Sequence, residues 1–345
     1  GQGGTSGAPE GRRTALKRSS VKRTAMKAMM AAPVLLLLTA AALSGCREQP
    51  PSRASAPSVS EAKSAPARTF GIIYPMADAY YEAVTESAAR AAEAAGVRLI
   101  IKAPDEANLE QQIRMMETMI KQGVDGIAIS PIHSDMLAPV IDKAVEAGIP
   151  VICFESDAPD SRRLSYIGTD NIRAGERMGA AIDGLLKGRG MILVSTGFSD
   201  SLHLRERLEG FLGYIHRETD IDVLEVRYNQ GIPGQALTDL EGMIDDHPHF
   251  DAFVALDFVS GSASVLVWKA MGLNRYALTF GLMPDISEAM RNGQITMAIS
   301  LNEHHWGALI VEQLVKAGNG EEIPEFLDTG ISLLDADAVG RDAAG

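Results

Sequence analysis

Cysteine is almost missing from this chain of 345 residues, which holds two, Cys46 and Cys153. That excludes a disulfide framework. Cys153 stands inside an apolar run and reads as a buried free thiol. Aromatic residues make up 5% of the chain, so a core must come from packed layers of Ala, Val, Ile and Leu. Positive charge is scarce beyond residue 68. The first 68 residues carry 11 Lys and Arg against 3 Asp and Glu, a balance of +8, and the remainder carries 21 against 42, a balance of −21. So acidic a body lacks the cations that phosphate contacts need, which argues against nucleic acid as a partner. It suits a protein that takes up neutral or cationic small molecules. Enzyme signatures are also missing. There is no G-x-S-x-G elbow and no Walker A sequence, and the glycines between Gly184 and Gly190 lack a dinucleotide-binding context. His247-Pro-His249 and His304-His305 have no Cys or third His at ligand spacing. The chain is expected to be no enzyme and to hold no metal and no cofactor.

What is present begins with an address. Met26 to Cys46, "MKAMMAAPVLLLLTAAALSGC", joins a basic head to an apolar segment too short to span a bilayer comfortably but right for a signal peptide. Leu43-Ser-Gly-Cys46 closes it and resembles the bacterial lipobox, in which the Cys thiol is lipidated and becomes the mature N-terminus. Cys46 is therefore the expected membrane anchor, since stable anchoring takes more than one acyl chain. Residues 1–25 are Gly-, Arg- and Ser-rich, and Val21 or Met26 would each make a better signal start. Arg47 to Arg68 is rich in Pro, Ser and Ala and reads as a tether.

From Phe70 the pattern alternates. Apolar runs at 70–74, 97–103, 126–130, 150–154, 191–196, 222–228, 251–256, 276–280 and 295–300 read as strands, several without polar alternation, as strands covered on both faces should be. Between them lie helical stripes. Leu109, Ile113, Met116 and Ile120 step by 4, 3 and 4, and so do Leu204, Leu208, Phe211 and Ile215. Gly96, Gly123, Gly148 and Gly272 stand where helices should stop. The alternation predicts an α/β fold with parallel sheets. So many units suit two sheets better than one, leaving a cleft at the C-terminal edges of the strands where open α/β sheets bind ligands.

The strand ends carry a consistent chemistry. Asp78, Tyr80 and Tyr81 follow the first run, Glu155 and Asp157 the fourth, Asp257 the run at 251–256, and Phe280 ends the run at 276–280. Arg207 lies on the helix after 191–196. Carboxylates accept hydrogen bonds from hydroxyls, Arg offers a planar donor fork, and aromatic faces cover the C–H faces of a sugar. Each residue alone has a plainer reading, since an Asp after a strand is often a helix cap. The recurrence at successive strand ends is what points to a polyhydroxylated ligand.

The stretches "QGVDGIAISP" (122–131), "AGIPVICFESDAPDSRRLSYIGTDN" (147–171), "RERLEGF" (205–211) and "DDHPHFDAFVALD" (245–257) resemble, in order, the type I periplasmic sugar-binding proteins of ABC transporters, of the ribose- and glucose-binding kind. The resemblance covers about Phe70 to Leu334. It implies two Rossmann-like lobes with parallel sheets, joined by three hinge crossings, along Tyr166–Asn171 and near Leu301–Asn302 and Asp328–Gly330. The expected division is 1–45 extension and signal peptide, 46–68 tether, 69–169 plus 302–328 first lobe, 170–301 plus 329–336 second lobe, and 337–345 tail. It further implies that Tyr80, Tyr81, Glu155, Arg207 and Asp257 hold the sugar, with Glu155 in place of the usual Asp. The length of the segment after 150–154 is then explained by its double duty as binding edge and hinge strand. The implied protein is a monomer on the extracytoplasmic face of the bacterial envelope. It captures a sugar or polyol for a membrane permease or, as the alternative, presents it to a chemoreceptor or histidine kinase. The DNA-binding helices of regulators that share this fold are replaced here by the lipobox. The chain departs from the pattern at Gly281 and Leu301, where the family usually has Asp and Gln. That departure is expected to leave room and apolar surface, and to favour a deoxygenated, apolar-substituted or larger ligand.

Overall fold

The computed structural model describes residues 67–342, and the predicted signal, lipobox and tether lie outside them. Two six-stranded sheets organise these residues. The first contains β1 (Thr69–Ile73), β2 (Arg98–Lys102), β3 (Gly126–Ile129), β4 (Val151–Phe154), β5 (Ser165–Gly168) and β11 (Phe326–Asp328), in the order β11-β5-β4-β3-β1-β2. The second contains β6 (Arg189–Thr196), β7 (Asp220–Tyr228), β8 (Ala252–Ala255), β9 (Tyr276–Phe280), β10 (Met297–Ser300) and β12 (Ser332–Leu334), in the order β12-β10-β9-β8-β6-β7. Every pairing is parallel except β10 with β12. This is the expected α/β architecture of two parallel-dominated lobes.

The nine apolar runs all became strands, the inner ones because their residues are covered on both faces, while β2 and β7 are partly exposed edge strands. β1, β3, β4 and β8 are buried throughout. Helices α1 (Glu82–Ala95), α2 (Leu109–Gln122), α3 (Ser134–Glu146) and α9 (Trp306–Gly318) accompany the first sheet. Helices α4 (Asn171–Leu186), α5 (Leu202–Glu218), α6 (Pro233–Asp246), α7 (Phe258–Met271) and α8 (Pro284–Arg291) accompany the second. Gly123 takes a left-handed φ of 65° and its N–H caps the end of α2, the conformation that makes glycine a helix stop. Residues 337–345 were expected as a tail, but α10 (Ala336–Asp342) forms there. It packs against α8 and buries Val339 in the core, so an apolar side chain on its inner face holds it down.

The chain passes between the sheets after β5, after β10 and between β11 and β12. One residue joins all three passages. The Thr329 hydroxyl lies 3.0 Å from Gly168 O and 2.8 Å from Leu301 O, and it accepts the indole N–H of Trp306 at 3.2 Å. Asn302 donates to Thr329 O at 2.7 Å.

Candidate functional site

The C-terminal ends of the two sheets face each other across a cavity whose empty space, mouth included, is about 570 Å³. Gln112 of α2, fully buried behind the lining, braces one side. Its amide donates to Tyr74 O and Ser130 O and accepts from Ile132 N, clamping the ends of β1 and β3 together.

Glu155 ends β4 with φ 61°, a left-handed backbone that costs a non-glycine residue about 1–2 kcal/mol. Hydrogen bonds hold it there. Tyr81 Oη and Ser130 Oγ both donate to Glu155 Oε2, at 2.8 and 2.7 Å, and Tyr166 Oη donates to the Glu155 carbonyl at 2.8 Å. Burial pushes the Glu155 carboxyl above its ordinary range, and the hydroxyl donors and Arg207 offset that only in part. Strain at the end of a strand, with the side chain turned into a cavity, is the pattern expected of a ligand contact.

Arg207 reaches the cavity from α5. Its place depends on a backbone-to-backbone packing of α4 on α5. A Cβ at Gly175 would stand 2.0 Å from Arg207 O, and one at Gly210 would stand 2.0 Å from Ile172 O. The guanidinium lies 4.1 Å above the Phe280 ring, donates to Leu256 O at 2.7 Å and to Asn171 Oδ1 at 2.9 Å, and leaves Nε without a partner. Burial lowers its pKa, and the nearby tyrosines and carboxylates oppose that. Asn171 donates in turn to Tyr166 Oη at 3.3 Å. A chain of hydrogen bonds thus runs from Arg207 of the second lobe through the first crossing to Glu155 of the first.

The predicted residues divide on inspection. Tyr80, Tyr81, Glu155, Arg207, Asp257 and Phe280 line the cavity. Asp257 does so as the N-cap of α7: it accepts Val259 N, Ser260 N, Asn229 Nδ2 and the Ser260 hydroxyl, so its oxygens are taken by protein donors. Asp78 and Asp157 are not in the lining. Asp78 caps the turn at Ala79–Tyr81 by accepting from Tyr80 N. Asp157 forms a bidentate pair with Arg163, both contacts at 2.7 Å, and stabilises its own loop. The expectation for Gly281 and Leu301 is also corrected. Gly281 has φ 83°, and a Cβ there would lie 2.8 Å from the Tyr80 ring, so aromatic surface already occupies that space. Leu301 is buried in the core and is not part of the lining.

Sequence reasoning missed Ser130, His203 and Phe258. Phe258 directly follows Asp257, so its position was readable. It stacks on Tyr80 at 4.4 Å with planes 5° apart, joining the two lobes. His203 sits one turn before Arg207 on α5. It is 8% exposed, its Nδ1 has no partner, and burial beside Arg207 drives its pKa well below 6.5, so the ring is neutral. A further contact between the lobes is Ser201 Oγ to Ile132 O at 3.2 Å. Among the described residues no group of three His, Cys, Asp or Glu could hold a metal ion.

Two lobes converging on a buried cavity through three crossings define a class, and the sequence agrees. The pattern of the periplasmic binding protein domain matches residues 70–322, and the chain belongs to that family. Within it, the chain falls with the type I sugar-binding proteins of ABC transporters. It is similar to the ribose import binding protein of Bacillus subtilis, 20% identical over 304 residues that cover 88% of this chain and 98% of that protein. It is similar also to the crystal structure of an ABC transporter solute-binding protein from Burkholderia graminis in complex with D-arabinose. That likeness has a TM-score of 0.75 and 28% identity, and covers 78% of this chain and 96% of the other. A solute-binding protein from Agrobacterium vitis, bound with α-D-tagatopyranose, shares the fold at a TM-score of 0.75 and 22% identity, covering 80% and 97%.

Proposed function

We propose that this chain is the lipid-anchored receptor of an ABC-type sugar importer, holding one neutral sugar or polyol between its lobes and closing over it by hinge motion. The observation that carries the reading is the pairing of a buried carboxylate from one lobe, Glu155, with a buried guanidinium from the other, Arg207, around a single cavity. A ligand that accepts from Arg207 and donates to Glu155 is contacted by both lobes and so favours the closed form. The named ligands of the relatives, ribose and D-arabinose among them, support the choice of sugar. Cys46 supplies the anchor, and the permease is the partner.

Calorimetric titration with pentoses, hexoses and polyols tests the binding. Small-angle scattering of the saturated protein tests closure, with a smaller radius of gyration expected than for the empty form. Trp306, buried beside the second crossing and bonded to Thr329, is placed to report the same movement by fluorescence. Absence of binding across the panel overturns the reading.

A further inference from the structure

The cavity is poor in hydrogen-bonding capacity for a site that takes a sugar. Nine of its lining residues have purely apolar side chains, among them Met76, Ile132, Phe198, Leu204, Phe258 and Phe280. Of its polar residues, several are already used by the protein. All the bonds that Asp257 accepts come from Val259, Ser260 and Asn229. Ser130 and Ser201 spend their protons on Glu155 Oε2 and Ile132 O. What remains is concentrated in four side chains, one of them Tyr80, whose hydroxyl bonds no other protein group among the described residues. Glu155 receives both its donors on Oε2, which leaves Oε1 for a ligand. Arg207 Nε and His203 Nδ1 are buried without partners. His203 and Arg207 lie one turn apart on α5 and therefore share a face. The site offers a carboxylate oxygen on one side and an imidazole–guanidinium pair on the other, with carbon between them.

Common pentoses and hexoses carry a hydroxyl on nearly every carbon. Each hydroxyl taken from water without a partner weakens binding, and a carbon wall gains only where the ligand also presents carbon. The Tyr80 and Phe258 rings stack directly on each other, so a sugar lies beside that pair rather than between its rings, with one edge against hydrocarbon. We infer that the cognate ligand is a deoxysugar, a monosaccharide bearing hydrogen or methyl at a carbon where common sugars bear hydroxyl. Its remaining hydroxyls meet Glu155, Arg207 and His203, and its bare edge meets the apolar wall. This rests on the sugar-binding reading and narrows it.

The test is calorimetry on the full-length chain with pairs of sugars that differ by one oxygen: D-ribose and its deoxy form, L-galactose and L-fucose, L-mannose and L-rhamnose, D-glucose and D-quinovose. In the pair that binds most tightly, the deoxy member is expected to bind at least about tenfold better, equivalent to about 1.4 kcal/mol. If the oxygenated member of that pair binds as well or better, the deoxysugar inference is overturned and the sugar reading stands. If no member of any pair binds, the deoxysugar inference is overturned, and the wider panel of pentoses, hexoses and polyols decides the reading it rests on.

Discussion

Truncating Arg207 to Ala should damage affinity and stability together, and the two losses have separate origins. The guanidinium is 4% exposed and bonds Leu256 O and Asn171 Oδ1. Hydrogen bonds from a charged donor are worth about 1.5–3 kcal/mol each, so truncation forfeits about 3–6 kcal/mol and strands two buried acceptors. Against that, the protein no longer buries a cation, which returns several kcal/mol. A net destabilisation of about 2 kcal/mol remains, or a fall in melting temperature of about 4–8 °C for a domain of this size. Affinity loses the contribution of the free Nε donor, about 2–3 kcal/mol or roughly 30–150-fold. Arg207→Lys keeps the charge but not the planar fork, and should recover only part of either loss. Differential scanning calorimetry measures the first effect and titration with the bound sugar the second. A variant that melts with the parent and binds within about twofold of it, the scatter of an inconsequential surface substitution, refutes the argument.

Asp157→Asn breaks the bidentate pair with Arg163, which is nearly buried. It should cost on the order of 2–3 kcal/mol of stability while ligand affinity stays unchanged, and the same two calorimetric measurements check it. Glu155 has a folded pKa raised above 4.5 by burial. Its contribution to stability is therefore fully present below pH 4.5 and is lost as pH rises through the folded value. Denaturant melts of Glu155→Gln should be flatter than those of the parent between pH 4.5 and neutrality. An equal slope in both would show that Glu155 ionises normally. Cys46→Ala should release the protein from the membrane fraction and abolish incorporation of labelled fatty acid. A variant that still fractionates with membranes removes the anchor.

Much of the fold was readable because its inner strands are covered on both faces. A run such as "PVICF" admits few alternatives, and Gly123 could stop α2 because only a residue at ease with positive φ does so cheaply. The short strands β11 and β12 were not readable as strands from their own residues. Phe326–Asp328 and Ser332–Leu334 are three residues each and partly exposed, and pairing with β5 and β10 makes them strands. In the site, Glu155 and Arg207 were visible from position. The pairing of Asp157 with Arg163 lies within one loop, six residues apart, and its spacing alone does not show that the two side chains meet. His203 carried no signal. A histidine on a helix becomes notable only when tertiary packing removes water and partners from its ring, and that information is held by the neighbours rather than by the residue. Gly281 was misread for the same reason, since the space beside it belongs to Tyr80, which is distant in sequence.

Thr329 gives the molecule something like a rivet. Its hydroxyl has one proton and two carbonyls within reach, at 3.0 and 2.8 Å, on the two other passages between the lobes. Only one of them can hold the proton at a time, so the bond can change hands by rotation about a single C–O bond while Trp306 keeps donating from behind. A swing of the lobes about an axis through this atom stretches none of the three contacts far. Under the hinge motion proposed above, this hydroxyl keeps the three passages tied at one point, and its proton can pass from one carbonyl to the other as they shift.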